Sequence, residues 1–466
     1  MRRILFVSTD LVGPAMAGPG IRAWELAHAL ARHCQVTLAA PDRAAPPAST
    51  AVHTRPYRLG QAGALDAALA QADVVVGQGF VFEQHPELLA CDLPLAIDMY
   101  DPLIIEGLAL YAGADLAAAE AQHARYQALT EAQLRRGDFF FCATAAQRDY
   151  WLGALTGVGR ITPASVRATD RALLQLIDLV PSGIDPTPPQ LAAPALRGTH
   201  PALGPDSVIA LWAGGLWDWF DPQIVVRAVA ALRDECPTLR LVFFAGARPN
   251  PHGAPFTTHN HAEAQALAAE LGLLDRSVVF LERWVPYAER GALLADADIG
   301  VSAHLPGIET HFAFRTRLLD YLWARLPVVS STGDSLGAGL AQAGCATLVP
   351  PHDLAGWVAA LRQLALDPAR RQAMRTAAEH YAGEWVWEKI AQPLAQFCAE
   401  PYRIPSSTPA ADWRVAALEA ALAERARYVQ HVEAEYQRAV AALGRRKPGV
   451  LARITGRLRS YLKQVS

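Results

Sequence analysis

The apolar positions of this chain fall into short unbroken runs separated by longer stretches with helical spacing. "RILFVSTD" near the start is a run of strand length without alternation, as in a strand covered on both faces of a parallel sheet. The glycine-rich "GPAMAGPG" follows, then "IRAWELAHALARH", in which Ile21, Trp24, Leu26 and Leu30 recur at near-helical intervals. "CQVTLAAP" supplies a second strand, so the chain opens with the strand, loop, helix, strand unit of a doubly wound α/β sheet. "ADVVVGQGF", "LPLAIDMYDP" and "DFFFCAT" predict further strands, with alanine-rich helical stretches between them. Near residues 181–206 both periodicities lapse and proline dominates, which marks a domain boundary. The pattern then restarts. "SVIALWAGGLWDWFDP" reads as a strand running into a glycine-aromatic loop, and "QIVVRAVAALRDEC" as a helix. "LRLVFFAGARPNP", "RSVVFLERWVPY", "ADIGVSAHL", "LPVVSS" and "ATLVPP" read as later strands. Two successive parallel sheets are implied, with a ligand cleft between them.

Length agrees with that division, since 466 residues are long for one core and domains of roughly 150 to 200 residues are the norm. The net charge is only −3, which gives no global signal for nucleic acid. Cys34, Cys91, Cys142, Cys236, Cys345 and Cys398 are scattered singly, as expected of free thiols in a reducing compartment. "MRRILFVSTD" is too short in apolar residues for the core of a signal peptide, and no run approaches the roughly 18 to 20 apolar residues of a spanning helix. The expectation is a cytoplasmic protein.

Candidate chemistry gathers at the carboxyl ends of the predicted strands, where open α/β sheets bind ligands. Gly18 and Gly20 would let backbone amides approach a ligand at the positive end of the following helix, with Arg22 beside them; alternatively they only make a turn. Asp98 and Asp101 follow the strand in "LPLAIDMYDP" and read either as substrate contacts or as loop caps. Arg148 and Trp151 read as ordinary helix surface and packing.

"MAGPGIRAWELAHAL", "VPSGIDPTPP", "WVPYAER", "ADADIGVSAHL" and "DYLWARLPVVSS", in this order and spacing, resemble the retaining glycosyltransferases of the GT-B fold, family four in the sequence classification. The likeness spans approximately residues 1–400 and is strongest in the second half. "GGLWDWFDP" and "FRTRLLDYLWA" are similar to bacterial members associated with surface polysaccharides. The resemblance implies two Rossmann-like domains facing a cleft: an acceptor-side domain over 1–184 and a nucleotide-sugar-binding domain over 185–385. It also implies a helix crossing back over 386–400, leaving 401–466 as linker, coiled-coil-like helix and basic tail. The implied reaction moves a sugar from a nucleotide-sugar donor to a glycan or lipid-linked acceptor with retention, without metal or cofactor.

The resemblance also implies site residues. The family usually offers an arginine and a lysine after the first strand of its second domain, but "GGLWDWFDP" has neither. Gly214 and Gly215 would still present amides, Trp217 would wall the pocket, and Asp218 or Asp221 would bind hydroxyls. Asp320 falls where the second acid of the family's paired-acid motif holds the ribose. Phe312 stands where the first acid belongs, so Glu309 is assigned to the donor sugar. Arg315 and Arg317, with the helix start at Thr316 and with Arg248, would supply the missing positive charge for a diphosphate. In the rival reading, one arginine binds phosphate and the other pairs with a carboxylate. Trp284 and Val285 fall where the base is received, although Trp284 reads equally as core. No histidine aligns where the family places one near the sugar, so Asp98 or Asp101 is expected in its stead.

"DAD" at 296–298 resembles a metal-gripping motif but reads better as a helix end and strand start; "HNH" at 259–261 reads as the cap of a helix and not as a zinc site. In the tail, Val415, Leu418, Leu422, Val429, Val432, Tyr436 and Leu443 occupy a and d positions of successive heptads. The stretch 415–443 predicts either a coiled coil that pairs two chains or a lone amphipathic helix lying on the enzyme. Residues 445–465 carry Lys and Arg without an acid, together with one apolar face. That composition suits an anionic membrane surface, or else a solvated basic terminus. A sugar-nucleotide epimerase on the same scaffold and a non-catalytic nucleotide- or glycan-binding scaffold are the other readings of the whole chain.

Overall fold

The computed structural model describes residues 1–43, 45–110, 115–244, 246, 258–405 and 413–444. Two all-parallel sheets organise residues 1–406. The first has seven strands: β1 (Arg3–Val7), β2 (Gln35–Pro41), β3 (Val52–Tyr57), β4 (Val74–Gln78), β5 (Leu95–Asp98), β6 (Phe139–Cys142) and β7 (Ile177–Leu179), in the order β3-β2-β1-β4-β5-β6-β7. The second has six: β8 (Val208–Trp212), β9 (Leu239–Phe244), β10 (Val278–Leu281), β11 (Ile299–Ser302), β12 (Val328–Ser331) and β13 (Ala346–Val349), in the order β10-β9-β8-β11-β12-β13. This is the two-lobed GT-B fold.

The central strands are the unbroken apolar runs of the sequence. β1, β4, β5 and β6 are buried almost throughout because helices cover both sheet faces. The sequence pattern missed β3 and β7. Both are edge strands with one neighbour, and their "VHTRPY" and "IDL" mix polar residues into the run; Pro56 is tolerated because an edge strand can forgo an amide.

The chain passes between the lobes twice, side by side. Ile184 forms a β-bridge with Val386, and a Cβ on Gly183 would lie 2.8 Å from the Trp385 carbonyl oxygen. Past this point Trp387, Leu394, Phe397 and Cys398 join the core of the first lobe, where Phe397 stacks on Phe139 at 5.2 Å between ring centroids. The helix Gln392–Ala399 therefore belongs to the first lobe although it follows the whole second sheet.

Residues 407–466 form a separate unit. Within it, the helix Trp413–Gly444 leaves Leu422, Val429, Val432 and Tyr436 exposed. Residues 445–465, for which an anionic surface was expected, lie outside the described residues. Among the described residues no helix is long and apolar enough to cross a membrane.

Candidate functional site

The strand order reverses on either side of β1 in the first sheet and of β8 in the second, and ligands of open α/β sheets bind outside such reversals. The loops that leave β1 and β8 line one cavity of about 590 Å³ between the lobes. Gly18, Tyr100 and Asp101 come from the first lobe; Gly214, Gly215 and Arg317 come from the second.

Arg317 occupies the place where the loop after β8 lacks a basic residue. It lies in the first turn of the helix Thr316–Trp323, and its Nη2 donates to the Gly215 carbonyl at 2.5 Å. The guanidinium lies 4.6 Å from the Trp212 ring centroid and 4.2 Å from that of Phe220. Gly214 adopts φ +128°, and a Cβ there would sit 3.4 Å from the same Nη2, so glycine permits both the turn and the approach. Nη1 is buried without a partner. Burial, joined by the like charge of Arg315, lowers the Arg317 pKa to about 10, which still leaves it cationic at neutral pH.

Arg315 is already engaged. Its Nη1 and Nη2 donate to the two Glu309 carboxylate oxygens at 2.8 and 2.6 Å, and Nη2 also donates to the Thr310 hydroxyl. The assignment of Arg315 as a second free cation for phosphate is therefore corrected: its charge is matched by Glu309, and Glu309 in turn is committed to Arg315. Ahead of the helix that starts at Thr316, the chain makes a short turn of helix, Ile308–Phe312, then an extended step through Ala313 that brings Glu309 and Arg315 face to face. Nearby, burial and then the positive charge of Arg315 push the His304 pKa down to about 3, so this imidazole is neutral.

Asp98 is likewise taken. Arg22 Nε and Nη2 donate to its oxygens at 2.6 and 3.0 Å, and Nη2 also donates to the Val180 carbonyl at 2.7 Å. Asp98 is 4 % exposed and does not line the cavity, which corrects its reading as a substrate contact. Burial raises its pKa, and Arg22 opposes that rise. Arg22 does line the cavity, and its Nη1 has no partner.

The other assigned residues divide as follows. Gly18, Trp217, Trp284, Val285, Thr316 and Asp320 line the cavity. Trp217 stacks on Trp219 at 5.4 Å, and Asp320 lies 3.4 Å from Arg290 Nη1. Gly20 is buried away from the cavity, where a Cβ would meet the Leu11 carbonyl at 2.1 Å; packing, not ligand approach, explains this glycine. Asp218 is exposed and outside the cavity, and Asp221 caps the helix Pro222–Leu232 through the Ile224 amide. Arg248 lies outside the described residues.

Three cavity features escaped the sequence reading. Glu106, from the helix Leu103–Leu110, lines the cavity together with Asp101. Burial, then the neighbouring Asp101, hold its pKa well above the ordinary value. Gln147 Nε2 donates to the carbonyls of Tyr100 and Phe312, both at 2.7 Å, and so ties the lobes together. The Tyr287 hydroxyl donates to Glu25 of the first lobe, and the Tyr287 amide donates to the Pro14 carbonyl. An acid soon after a strand end was the available signal for Glu106; the other two depend on long-range contacts.

The "DAD" aspartates belong to the second core. Arg197 pairs with Asp296 at 2.7 Å and with Asp298 at 2.6 Å, and Asp296 also accepts the amides of Ala195, Leu196 and Arg197. "HNH" opens the helix His259–Glu270. Among the described residues no three His, Cys, Asp or Glu side chains converge as a metal site requires.

Residues 207–367 match the family model described as Glycosyl transferases group 1. A D-inositol 3-phosphate glycosyltransferase of Kineococcus radiotolerans is 31% identical over 272 residues, covering 52% of this chain and 58% of the relative. One of Stackebrandtia nassauensis is 29% identical over 226 residues, 47% of each chain. The chain thus spans about half the length of the curated relatives it matches. Among solved structures, sucrose-phosphate synthase of Thermosynechococcus elongatus superposes with a TM-score of 0.61 at 18% identity, over 85% of this chain and 98% of that one. WaaG, a glycosyltransferase involved in lipopolysaccharide biosynthesis, gives 0.59 at 16% identity, over 85% of this chain and all of its own. HepE of Anabaena, in complex with UDP and glucose, gives 0.59 at 15% identity, over 85% of this chain and 99% of its own.

Proposed function

We propose, from the match of residues 207–367 to glycosyl transferases group 1, that this chain transfers a sugar from a nucleoside-diphosphate donor to a hydroxyl-bearing acceptor with retention of anomeric configuration. The observation that carries the reading is Arg317, a buried guanidinium with no carboxylate partner, held against the Gly214–Gly215 loop where two strand-order reversals share one cavity.

A diphosphate leaving group gains negative charge as the C1–O bond breaks, so a cation fixed beforehand lowers the barrier without reorganising at that moment. Arg317 supplies the cation. The helix Gly18–Ala31 adds the positive end of its dipole from the opposite lobe, with Gly18 on the cavity wall. Asp320 suits the ribose hydroxyls, and Trp284 with Val285 suits the base. The acceptor oxygen bonds to C1 on the face that the diphosphate leaves, and the acceptor proton passes to the departing phosphate oxygen. No carboxylate nucleophile is required, which agrees with Asp98 and Glu309 both being locked to arginines.

HepE, in complex with UDP and glucose, makes UDP-glucose the first donor to try. Surface polysaccharide synthesis, a cytoplasmic setting and pairing of two chains through 415–443 complete the proposal; the exposed Leu422, Val429, Val432 and Tyr436 favour the pairing. The epimerase alternative is not favoured, because the curated relatives above are named glycosyltransferases.

The test is a panel of nucleoside diphosphates and their sugars in EDTA. Slow release of nucleotide from one donor, with product anomer followed by NMR, supports transfer. Interconversion of donor sugars, or tight binding without turnover, overturns it.

A further inference from the structure

Two charged side chains of the cavity wall have hydrogens and lone pairs to spare. Arg290 and Asp320 both line the cavity and lie 3.4 Å apart, nitrogen to oxygen. A charge-assisted hydrogen bond closes to about 2.7–2.9 Å, so this is an ion pair without one. Among the described residues neither side chain makes a hydrogen bond to any other group. Arg315 and Arg22 differ in this respect, since each spends two nitrogens on one carboxylate.

Arg290 is held in place by rings instead. Its guanidinium carbon lies 4.3 Å from the Tyr287 ring centroid and 5.3 Å from that of Trp323. Tyr287 is itself fixed, through its amide to the Pro14 carbonyl and through its hydroxyl to Glu25. A stacked guanidinium keeps its N–H groups available, and a donor oriented before the ligand arrives loses little freedom on binding.

The charge of Arg290, unlike that of Arg317, is matched. Asp320 stands beside it, and Glu25 lies within its field. A phosphate therefore gains less here than at Arg317. A neutral hydroxyl gains more, because it can give its hydrogen to Asp320 and accept one from Arg290. Position says which hydroxyls. Asp320 follows Arg317 by three residues in the helix Thr316–Trp323, so the two share a face with Cβ atoms about 5–6 Å apart. A ribose hanging from a phosphate at Arg317 reaches that far. Trp284 and Val285, which suit the base, precede Arg290 in the same segment and line the same cavity.

Resting on the transferase reading above, we propose that Arg290 is a ribose contact of the nucleotide, donating to the hydroxyl oxygens whose hydrogens Asp320 accepts, and that the Arg290–Asp320 pair selects ribonucleotides over deoxyribonucleotides.

The experiment is calorimetric titration of the full chain with whichever nucleoside diphosphate the panel selects and with its 2′,3′-dideoxy counterpart. Wild type should bind the ribose form roughly tenfold or more tightly than the dideoxy form. Arg290→Met keeps the packing of the stem and removes the donors. It should weaken the ribose form roughly tenfold and the dideoxy form less than about twofold, so that the ratio collapses. Should that variant fail to fold, Arg290→Lys takes its place; it keeps the charge beside Asp320 but loses the planar fork, and the ratio should narrow at least about threefold. Equal losses for the two nucleotides would assign Arg290 to the phosphates or to the fold alone and overturn the proposal. So would an unchanged ratio in the folded variant, or a wild type that binds both forms equally. Failure of the wild type to bind any nucleoside diphosphate would instead overturn the transferase reading.

Discussion

Arg315 and Glu309 meet as a two-pronged ion pair, with nitrogen-to-oxygen distances of 2.8 and 2.6 Å and side chains only 5 % and 11 % exposed. Desolvating both charges is costly, and their mutual attraction offsets that cost only while both are present. Arg315→Ala should therefore destabilise the protein by about 3–5 kcal/mol, because Glu309 is left charged and unpaired. Replacing both with apolar residues of similar volume should recover most of that loss. Denaturant titration of the two variants decides it, and a single-variant loss below about 1 kcal/mol would mean that the pair behaves as a surface bridge.

Arg317 should act on ligand more than on fold. Arg317→Ala is expected to weaken nucleoside-diphosphate binding roughly 10- to 100-fold, the range for losing a hydrogen bond to a charged group of about 1.5–3 kcal/mol. Binding of the free nucleoside should change far less. Calorimetric titration with both ligands is the check, and equal losses would remove Arg317 from the phosphate site.

Stability should carry the mark of Glu106. Its folded pKa is raised, first by burial and then by Asp101 and Glu309, above the unfolded value of about 4.3. Between those two values the folded chain holds a proton that the unfolded chain has released, so this group's contribution is full below about pH 4.3 and is lost as pH rises through the folded pKa. Glu106→Gln should consequently stabilise the protein at pH 7.5 relative to wild type, and the gain should shrink toward pH 4.5. Melting curves across that window would show a pH-independent difference if Glu106 titrated normally.

Gly300 and Gly183 are positions where a single methyl group would do damage. A Cβ on Gly300 would lie 2.4 Å from the Tyr321 ring, whose hydroxyl ties Leu211 to Val301 by donor–acceptor distances of 2.8 Å. Gly300→Ala should cost about 1–3 kcal/mol or more by overpacking. It should also weaken nucleotide binding, since Tyr321 and Arg317 share one helix. Gly183→Ala, at the paired crossing between lobes, should cost a similar amount in stability. Wild-type melting temperatures for both variants would refute these contacts.

How much of this was legible beforehand follows from the range of the interactions. The apolar runs "RILFV", "VIALW" and "FFFC" fixed central strands, because a strand covered on both faces needs an unbroken hydrophobic stretch and that requirement is local. The edge strands β3 and β7 were not legible, because one partner and a half-covered face leave little constraint on sequence. The glycine-aromatic loop, the arginines before β12 and Asp320 could be marked as chemistry from spacing and family likeness.

The sequence by itself determined two α/β lobes, the strand ends where a ligand would sit, and a shortage of cations in the loop after β8. Only the tertiary structure decided which arginine lies against that loop without a carboxylate partner. Arg22 meets Asp98 across 76 residues, and Arg317 meets Gly215 across 102. Even Glu309 and Arg315, six residues apart, pair only because the helix between them breaks. A charge is available to a ligand only when no neighbour has already neutralised it, and that neighbour is chosen by distance in space, for which local sequence pattern holds no record.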